Sequence, residues 1–305
     1  MGAPTTLAFD TPEAIERLKR LVLNSVDSLE SKRLYGRALD AFFLWLRNEK
    51  SGFDRAAVQS YKAHLIESGL SSSTINSYLI PLRRLASELT SDGRLSSDLA
   101  SAICRIKGVR QRGIRIGNWM TLLQAEQLLS APDTTTLKGK RDRALLSVLV
   151  SCGLRREEAA ILSFQHIQQR ENRWVIVDLI GKGRRVRGVP MPMWTKQAID
   201  EWTQAGFSSG RIFRPVNRGD RIAGESMTAQ SIFEVVKKYT AEIGLPSIAP
   251  HDLRRTFAKL AYKGHSPIEQ IQLSLGHFSA AVTQKYLGIE QDLTDAPCDR
   301  LGLGR

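Results

Sequence analysis

The sequence predicts a mainly α fold of the α+β kind. It has an N-terminal helical bundle and a second, mainly helical domain with a small antiparallel β-sheet. Three observations predict it. Apolar residues recur at helical spacing through the first hundred residues, with no strand pattern before residue 110. Further on, an alternating stretch at 173–180, a Gly-Lys-Gly turn and a second stretch at 186–191 give a hairpin signature among helices. Between the two parts, 105–118 (RIKGVRQRGIRIGN) holds five basic residues, three glycines and no acid, the composition of an exposed connection. The expected domains are therefore 1–108, a linker at 109–118, and 119–305.

The elements follow in order. Thr11 before Pro12 is an N-cap with proline at the first helical position, predicting a helix from 12 to about 26. Leu34, Ala38, Phe42, Trp45 and Leu46 share one face of a helix over 29–49. Asp54 caps a third helix, which Gly69 ends. Ser72 or Ser73 starts a fourth, with Ile75, Tyr78, Leu79, Leu82 and Leu85 on one face and Pro81 as a candidate kink. A short fifth helix covers 97–104. In the second part Thr121 caps a helix to about 130, a helix over 139–151 stops at Gly153, and another opens at Arg155. After the hairpin come a helix at 193–205 and a loop-rich stretch, 206–226, around a short strand at Ile212 and Phe213. Four helices close the chain, near 228–243, 252–263, 267–275 and 279–287.

Composition narrows the function classes. With 305 residues, 42% hydrophobic and 25% charged, the chain is globular rather than disordered, collagen-like or coiled coil. Lys and Arg number 44 against 31 Asp and Glu, a net charge of +13. That excess points to a polyanion. Residues 1–113 carry 17 basic and 12 acidic residues and the rest 27 and 19, so a ligand touched along the whole length fits better than a basic tail. Cys104, Cys152 and Cys298 have neither metal spacing nor a disulfide pattern, which fits a reducing compartment. Apolar runs such as 144–150 are too short to span a bilayer, and the N-terminus lacks the pattern of a signal peptide. The expectation is a cytoplasmic, nucleoid-associated protein with no membrane partner.

The sequence holds no Walker loop, HExxH, GxSxG or CxxC pair, and its acids do not cluster as a two-metal site requires. Chemistry on a nucleic acid would then need positive side chains to neutralise charge developing on a phosphate. Candidates exist, each with a plain structural alternative. His251 and Arg254, three residues apart in HDLRRTFA, share a face in a first helical turn, where an anion is favoured; a surface pair at a helix start is the alternative. Arg255 points about 100° away and reads as a bystander. Arg155 opens a helix whose first turn carries Glu157 and Glu158, either of which could hold an arginine in place. Lys182 sits at the hairpin tip, where ordinary turn chemistry is the alternative. His277 follows a helix-stopping glycine and Tyr286 lies nine residues on; both residue types are more often structural. His64, His166 and His265 carry no functional signal.

Together these stretches do more than singly. GLRREEAAIL (153–162), GKGRRVRGVPMP (181–192), HDLRRTFA (251–258) and LGHFSAAVTQKYLG (275–288) resemble the tyrosine recombinase, or phage integrase, family. KGKRDRALLSVLVSCGLR (138–155) supports this, and SSSTINSYLIPLRRLA (71–86) resembles the family's helical core-binding domain. The resemblance implies that Tyr286 attacks a scissile DNA phosphate and that Arg155 and Arg254 clamp its non-bridging oxygens. It implies that Lys182 protonates the leaving 5′ oxygen, His251 assists proton transfer at the tyrosine and His277 hydrogen-bonds the phosphate. Glu158 matches a supporting acidic position. It further implies site-specific recombination through a 3′-phosphotyrosyl intermediate, with no metal or other cofactor. The implied partner is duplex DNA with paired half-sites, bound by a homodimer on each site and a homotetramer in the synapse. Arg105, Lys107, Arg110, Arg112 and Arg115 are the expected backbone contacts of the linker. The alternatives are a catalytically silent DNA-binding relative and a type IB topoisomerase-like enzyme.

Overall fold

The structure is a computed structural model that describes residues 11–110, 118–181 and 186–287, apart from the side chain of Lys285. Arg112, Arg115 and Lys182 lie outside the described residues. The chain divides into two units, Met1–Gly113 and Ile114–Arg305.

The first unit is helical: α1 (Pro12–Asn24), α2 (Leu29–Asn48), α3 (Arg55–Glu67), α4 (Ser72–Ser91) and α5 (Ser97–Cys104). Local chemistry sets each start. Thr11, Ser28, Asp54, Ser71 and Ser96 are extended N-caps whose side chains each accept a backbone N–H of the first turn. One apolar stripe per helix then meets in a core that includes Leu18, Val22, Leu39, Phe42, Leu46, Tyr61, Leu79 and Leu82. Phe42 and Tyr61 pack edge to face with centroids 5.0 Å apart. Helix α4 runs through Pro81, which is buried.

The basic stretch that follows α5 is fastened before it leaves this unit. Arg83 Nη2 donates to the Ile106 carbonyl at 2.7 Å and Lys62 Nζ to the Lys107 carbonyl at 2.8 Å. Asn76 pairs with both the N–H and the carbonyl of Val109, at 2.8 and 3.0 Å. The backbone of 106–109 thus belongs to the bundle, while the side chains of Arg105, Lys107 and Arg110 stay exposed.

The second unit opens with α6 (Leu122–Ser130), α7 (Leu137–Ser151) and the short α8 (Arg156–Ile161). A 3-10 turn at Phe164–His166 leads into β1 (Ile167–Arg170), β2 (Arg173–Ile180) and β3 (Val186–Met191). Among the described residues, five helices follow: α9 (Met193–Thr203), α10 (Ala229–Glu242), α11 (Pro250–Lys263), α12 (Ile268–Leu275) and α13 (Ala280–Leu287). Helix α7 is buried on several sides through Ala144, Leu145, Leu146, Val148 and Leu149, and packs on α6, α9 and α11. Its Arg141 and Asp142 are buried as a pair, with Arg141 Nη2 2.6 Å from Asp142 Oδ1. The Tyr239 hydroxyl donates to the other Asp142 oxygen at 3.0 Å, tying α10 to α7.

Three details differ from the sequence reading. The sheet has three strands rather than two, in the antiparallel order β1-β2-β3. The missed strand, IQQR, is short and polar, and joins β2 through Glu171 and Asn172, both at positive φ as a two-residue hairpin turn needs. Strand β2 does not alternate throughout. Its register shifts between Ile176 and Leu179, with Asp178 at φ 55°, so those two residues three apart are both buried. Ile212 and Phe213 are buried but form no strand. They are pinned instead by Ile212 N–H to Leu162 carbonyl, Met227 N–H to Phe213 carbonyl, each at 2.9 Å, and Trp202 Nε1 to Ile212 carbonyl at 2.7 Å.

Candidate active site

The end of α7 sets the first side of the site. Gly153 has φ +58°, and a Cβ there would lie 2.6 Å from Phe257 Cδ1, so no other residue fits without strain. The reversed chain aims the Gly153 carbonyl at Arg254 of α11, which donates to it through Nη1 at 2.5 Å. Arg254 also donates to the Leu275 carbonyl through Nη2. Its exposure is only 1%. Burial first, then the charge of Arg155, lowers its pKa to about 10, which leaves it cationic at neutral pH.

Arg155 is the N-cap of α8 rather than its first helical residue. Glu158, one turn on, accepts its backbone N–H at 2.8 Å and its Nη1 at 2.8 Å. The same carboxylate accepts both terminal nitrogens of Arg187, at 2.9 and 2.8 Å, and lies 4.0 Å from Arg254 Nη1. Glu158 thus gathers three guanidinium groups with 3% exposure. Burial alone would push its carboxyl up, but Arg187 and then Arg155 hold it down at about 2.

The other side is built by α11, the α12–α13 turn and α13. Gly276 ends α12 in the left-handed region at φ +61°, and His277 follows it. His277 Nδ1 pairs with Thr283 Oγ1 at 3.0 Å. Tyr286 of α13 stands between two imidazoles, with the His251 ring 5.6 Å and the His277 ring 5.1 Å from its own, both near perpendicular. Its hydroxyl donates to the His251 carbonyl at 3.4 Å. Burial raises the phenol above its ordinary value, and Arg254 and Arg255 oppose that. Burial, then Arg254 and Arg155, lowers His277 to about 4, and burial with Arg255 and Arg254 lowers His251. A cleft of about 280 Å³ lined by Arg155, His251 and Arg254 opens beside these groups.

The structure therefore brings Arg155, Glu158, His251, Arg254, His277 and Tyr286 together in one unit. Two arginines of the site escaped the sequence reading. Arg255, read as a bystander, lies 5.1 Å from the Tyr286 ring centroid and pairs with Asp252 at 3.3 Å. The 100° separation from Arg254 turned it out of the cleft but toward the tyrosine. Arg187 had a legible signal: on β3 it shares the inward face with Val189 and Met191, an odd place for a charge. Among the described residues, no three His, Cys, Asp or Glu side chains gather as a metal would need.

Comparison with known proteins gives the family and the fold. The phage integrase family profile matches residues 118–292, more than half of the chain. The tyrosine recombinase XerC of Thermodesulfovibrio yellowstonii is 27% identical over 284 residues, covering 90% of each chain. The tyrosine recombinase XerD of Pseudomonas aeruginosa is 28% identical over 271 residues, covering 85% of this chain and 86% of that one. Among solved structures, the XerH recombinase in a pre-cleavage complex with its difH substrate superposes with a TM-score of 0.67 at 20% identity, over 93% of this chain and 82% of the other. A λ integrase dimer bound to a core site has the same fold, with a TM-score of 0.67 at 15% identity, over 91% and 78%. The chain belongs to the phage integrase family.

Proposed function

We propose that the protein is a site-specific DNA recombinase that cleaves and rejoins duplex DNA through a tyrosyl-phosphate intermediate. The observation that carries this reading is the Tyr286 phenol set between His251 and His277, with His251 also lining a cleft together with Arg155 and Arg254. In the reaction, Tyr286 Oη attacks the phosphorus and the bond to the 5′ oxygen breaks. The phenolic proton leaves toward His251, which burial keeps neutral and able to accept it. Lys182 supplies a proton to the 5′ oxygen. The product is a 3′-phosphotyrosyl link with a free 5′ hydroxyl, and attack by a 5′ hydroxyl reverses it. Phosphodiester energy stays in the covalent link, so the cycle needs no nucleotide.

Arg155 and Arg254 serve as the charge clamp. A guanidinium is a fixed cation, planar and forked, that neutralises charge as it moves onto the phosphoryl oxygens. His277, held by Thr283 and neutral above pH of about 4, donates a hydrogen bond to the phosphate. Glu158 sets the direction of Arg155 without touching DNA.

The first unit serves as the core-binding domain and the second as the catalytic domain. The exposed side chains of Arg105, Lys107 and Arg110 meet the DNA backbone. A homodimer fills paired half-sites and two dimers form the synapse, because exchanging four strands takes four nucleophiles. The protein acts in the cytoplasm on nucleoid DNA. No helix among the described residues is long and apolar enough to cross a membrane.

The test uses a DNA site recovered by selection for binding from a random pool. A plasmid with two copies should recombine with the wild type and not with Tyr286→Phe. Binding without strand exchange would favour a silent relative, and relaxation of plasmid lacking the site would favour a topoisomerase.

A further inference from the structure

The side chain of Arg187 is only 8% exposed on β3. A buried cation is costly unless paired, and a well-packed apolar residue at such a place is often as stable. The charge therefore calls for a role other than stability. Its contacts name one. Nη1 and Nη2 grip both oxygens of Glu158, at 2.9 and 2.8 Å, in a bidentate pair that fixes the plane of that carboxylate. Glu158 in turn fixes the guanidinium of Arg155. On the other side, Nε donates to the Ser274 carbonyl at 2.9 Å, in the last turn of α12. The aliphatic stem lies on Gly276, where a Cβ would come within 2.9 Å of Arg187 Cδ. His277 is the next residue. One side chain thus connects the arginine side of the cleft to the turn that presents the imidazole.

We propose that Arg187 is a positioning residue for phosphoryl transfer, aiming Arg155 through Glu158 and seating the His277 turn through Ser274 and Gly276. The proposal rests on the recombinase reading above. It acts on charge neutralisation at the phosphate, not on the nucleophile or the leaving group. Lysine at 187 would keep the charge but lose the bidentate grip and the Nε contact.

The test measures covalent adduct formation by the full-length protein on a nicked duplex carrying the selected site. One substrate has an ordinary scissile phosphate. In the other a neutral methylphosphonate replaces it, leaving no net charge for a guanidinium to neutralise. Arg187→Lys should form adduct on the phosphodiester roughly 10–100-fold more slowly, as loss of a supporting contact does elsewhere. On the methylphosphonate most of that loss should disappear, as it should for Arg155→Ala. The double variant should be no slower on the phosphodiester than Arg155→Ala alone. Gly276→Ala, which crowds the Arg187 stem from the other side, should show the same substrate dependence and guards against a misfolded Arg187→Lys. Equal losses on both substrates, additive losses in the double variant, or wild-type rates would overturn the proposal. Absence of adduct from the wild type on both substrates would overturn the recombinase reading and this proposal with it.

Discussion

Replacing Glu158 with glutamine keeps the shape of the side chain but removes the charge that three arginines share. In the wild type the carboxyl titrates at about 2, against 4.5 for the free group, despite burial that favours the neutral form. That difference corresponds to folding stability on the order of 3 kcal/mol at neutral pH. Leaving buried charges without their partner gives a similar figure, about 3–5 kcal/mol. The sign follows from proton binding. The unfolded chain takes up the Glu158 proton below about pH 4.5 and the folded one only near 2, so the contribution is complete above 4.5 and is lost as pH falls toward 2. Chemical unfolding of wild type and Glu158→Gln, repeated between pH 7 and pH 3, measures it. The gap should be about 3 kcal/mol at pH 7 and should narrow steadily below pH 4.5. A gap under about 1 kcal/mol at pH 7, the range of an exposed pair, would refute the reasoning. So would a gap that stays constant through the acid range.

Other outcomes follow from the same contacts. Arg155→Ala should slow adduct formation on the nicked site by about 10²–10³ while changing DNA affinity far less, read by single-turnover cleavage against equilibrium binding. Gly153→Ala, which needs positive φ and would press on Phe257, should lose about 1–3 kcal/mol of stability, seen as a lower melting temperature. Binding should weaken with salt by about 0.9 log units per log unit of salt for each phosphate neutralised. Alanine at Arg105, Lys107 and Arg110 together should flatten that slope by nearly one unit per residue in a titration at several ionic strengths.

What was legible in the sequence follows from the range of the forces involved. Helix starts were readable because capping is local: Thr11, Asp54 and Thr121 each bond a backbone N–H three residues on. The hairpin was readable from its turn and its alternation. Strand β1 was not, because four residues with two glutamines carry no apolar period, and its pairing with β2 is what makes it a strand. Ile212 and Phe213 misled in the opposite sense. Their apolar character reports burial, and burial was reached through single hydrogen bonds to Leu162, Trp202 and Met227 instead of a ladder. At the site, residue type and spacing left each candidate with a plain structural alternative, and it was the resemblance of the joined motifs to the tyrosine recombinase family that singled out Arg155, Glu158, His251, Arg254, His277 and Tyr286. Their partners were hidden, since Arg187 reaches Glu158 across 29 positions. Arg255 was misjudged because helical geometry gave its direction but not what waits there, a tyrosine from a helix about thirty residues on.

The atom that carries the DNA decides the chemistry. Adduct trapped on the nicked duplex can be digested with nuclease and protease and its peptides sequenced by mass spectrometry. A nucleotide should be joined through its 3′ phosphate to the peptide containing Tyr286, on that phenol, with a free 5′ hydroxyl on the released strand. Phosphate linked to any other residue, or a 5′-phosphotyrosyl end, would contradict that assignment.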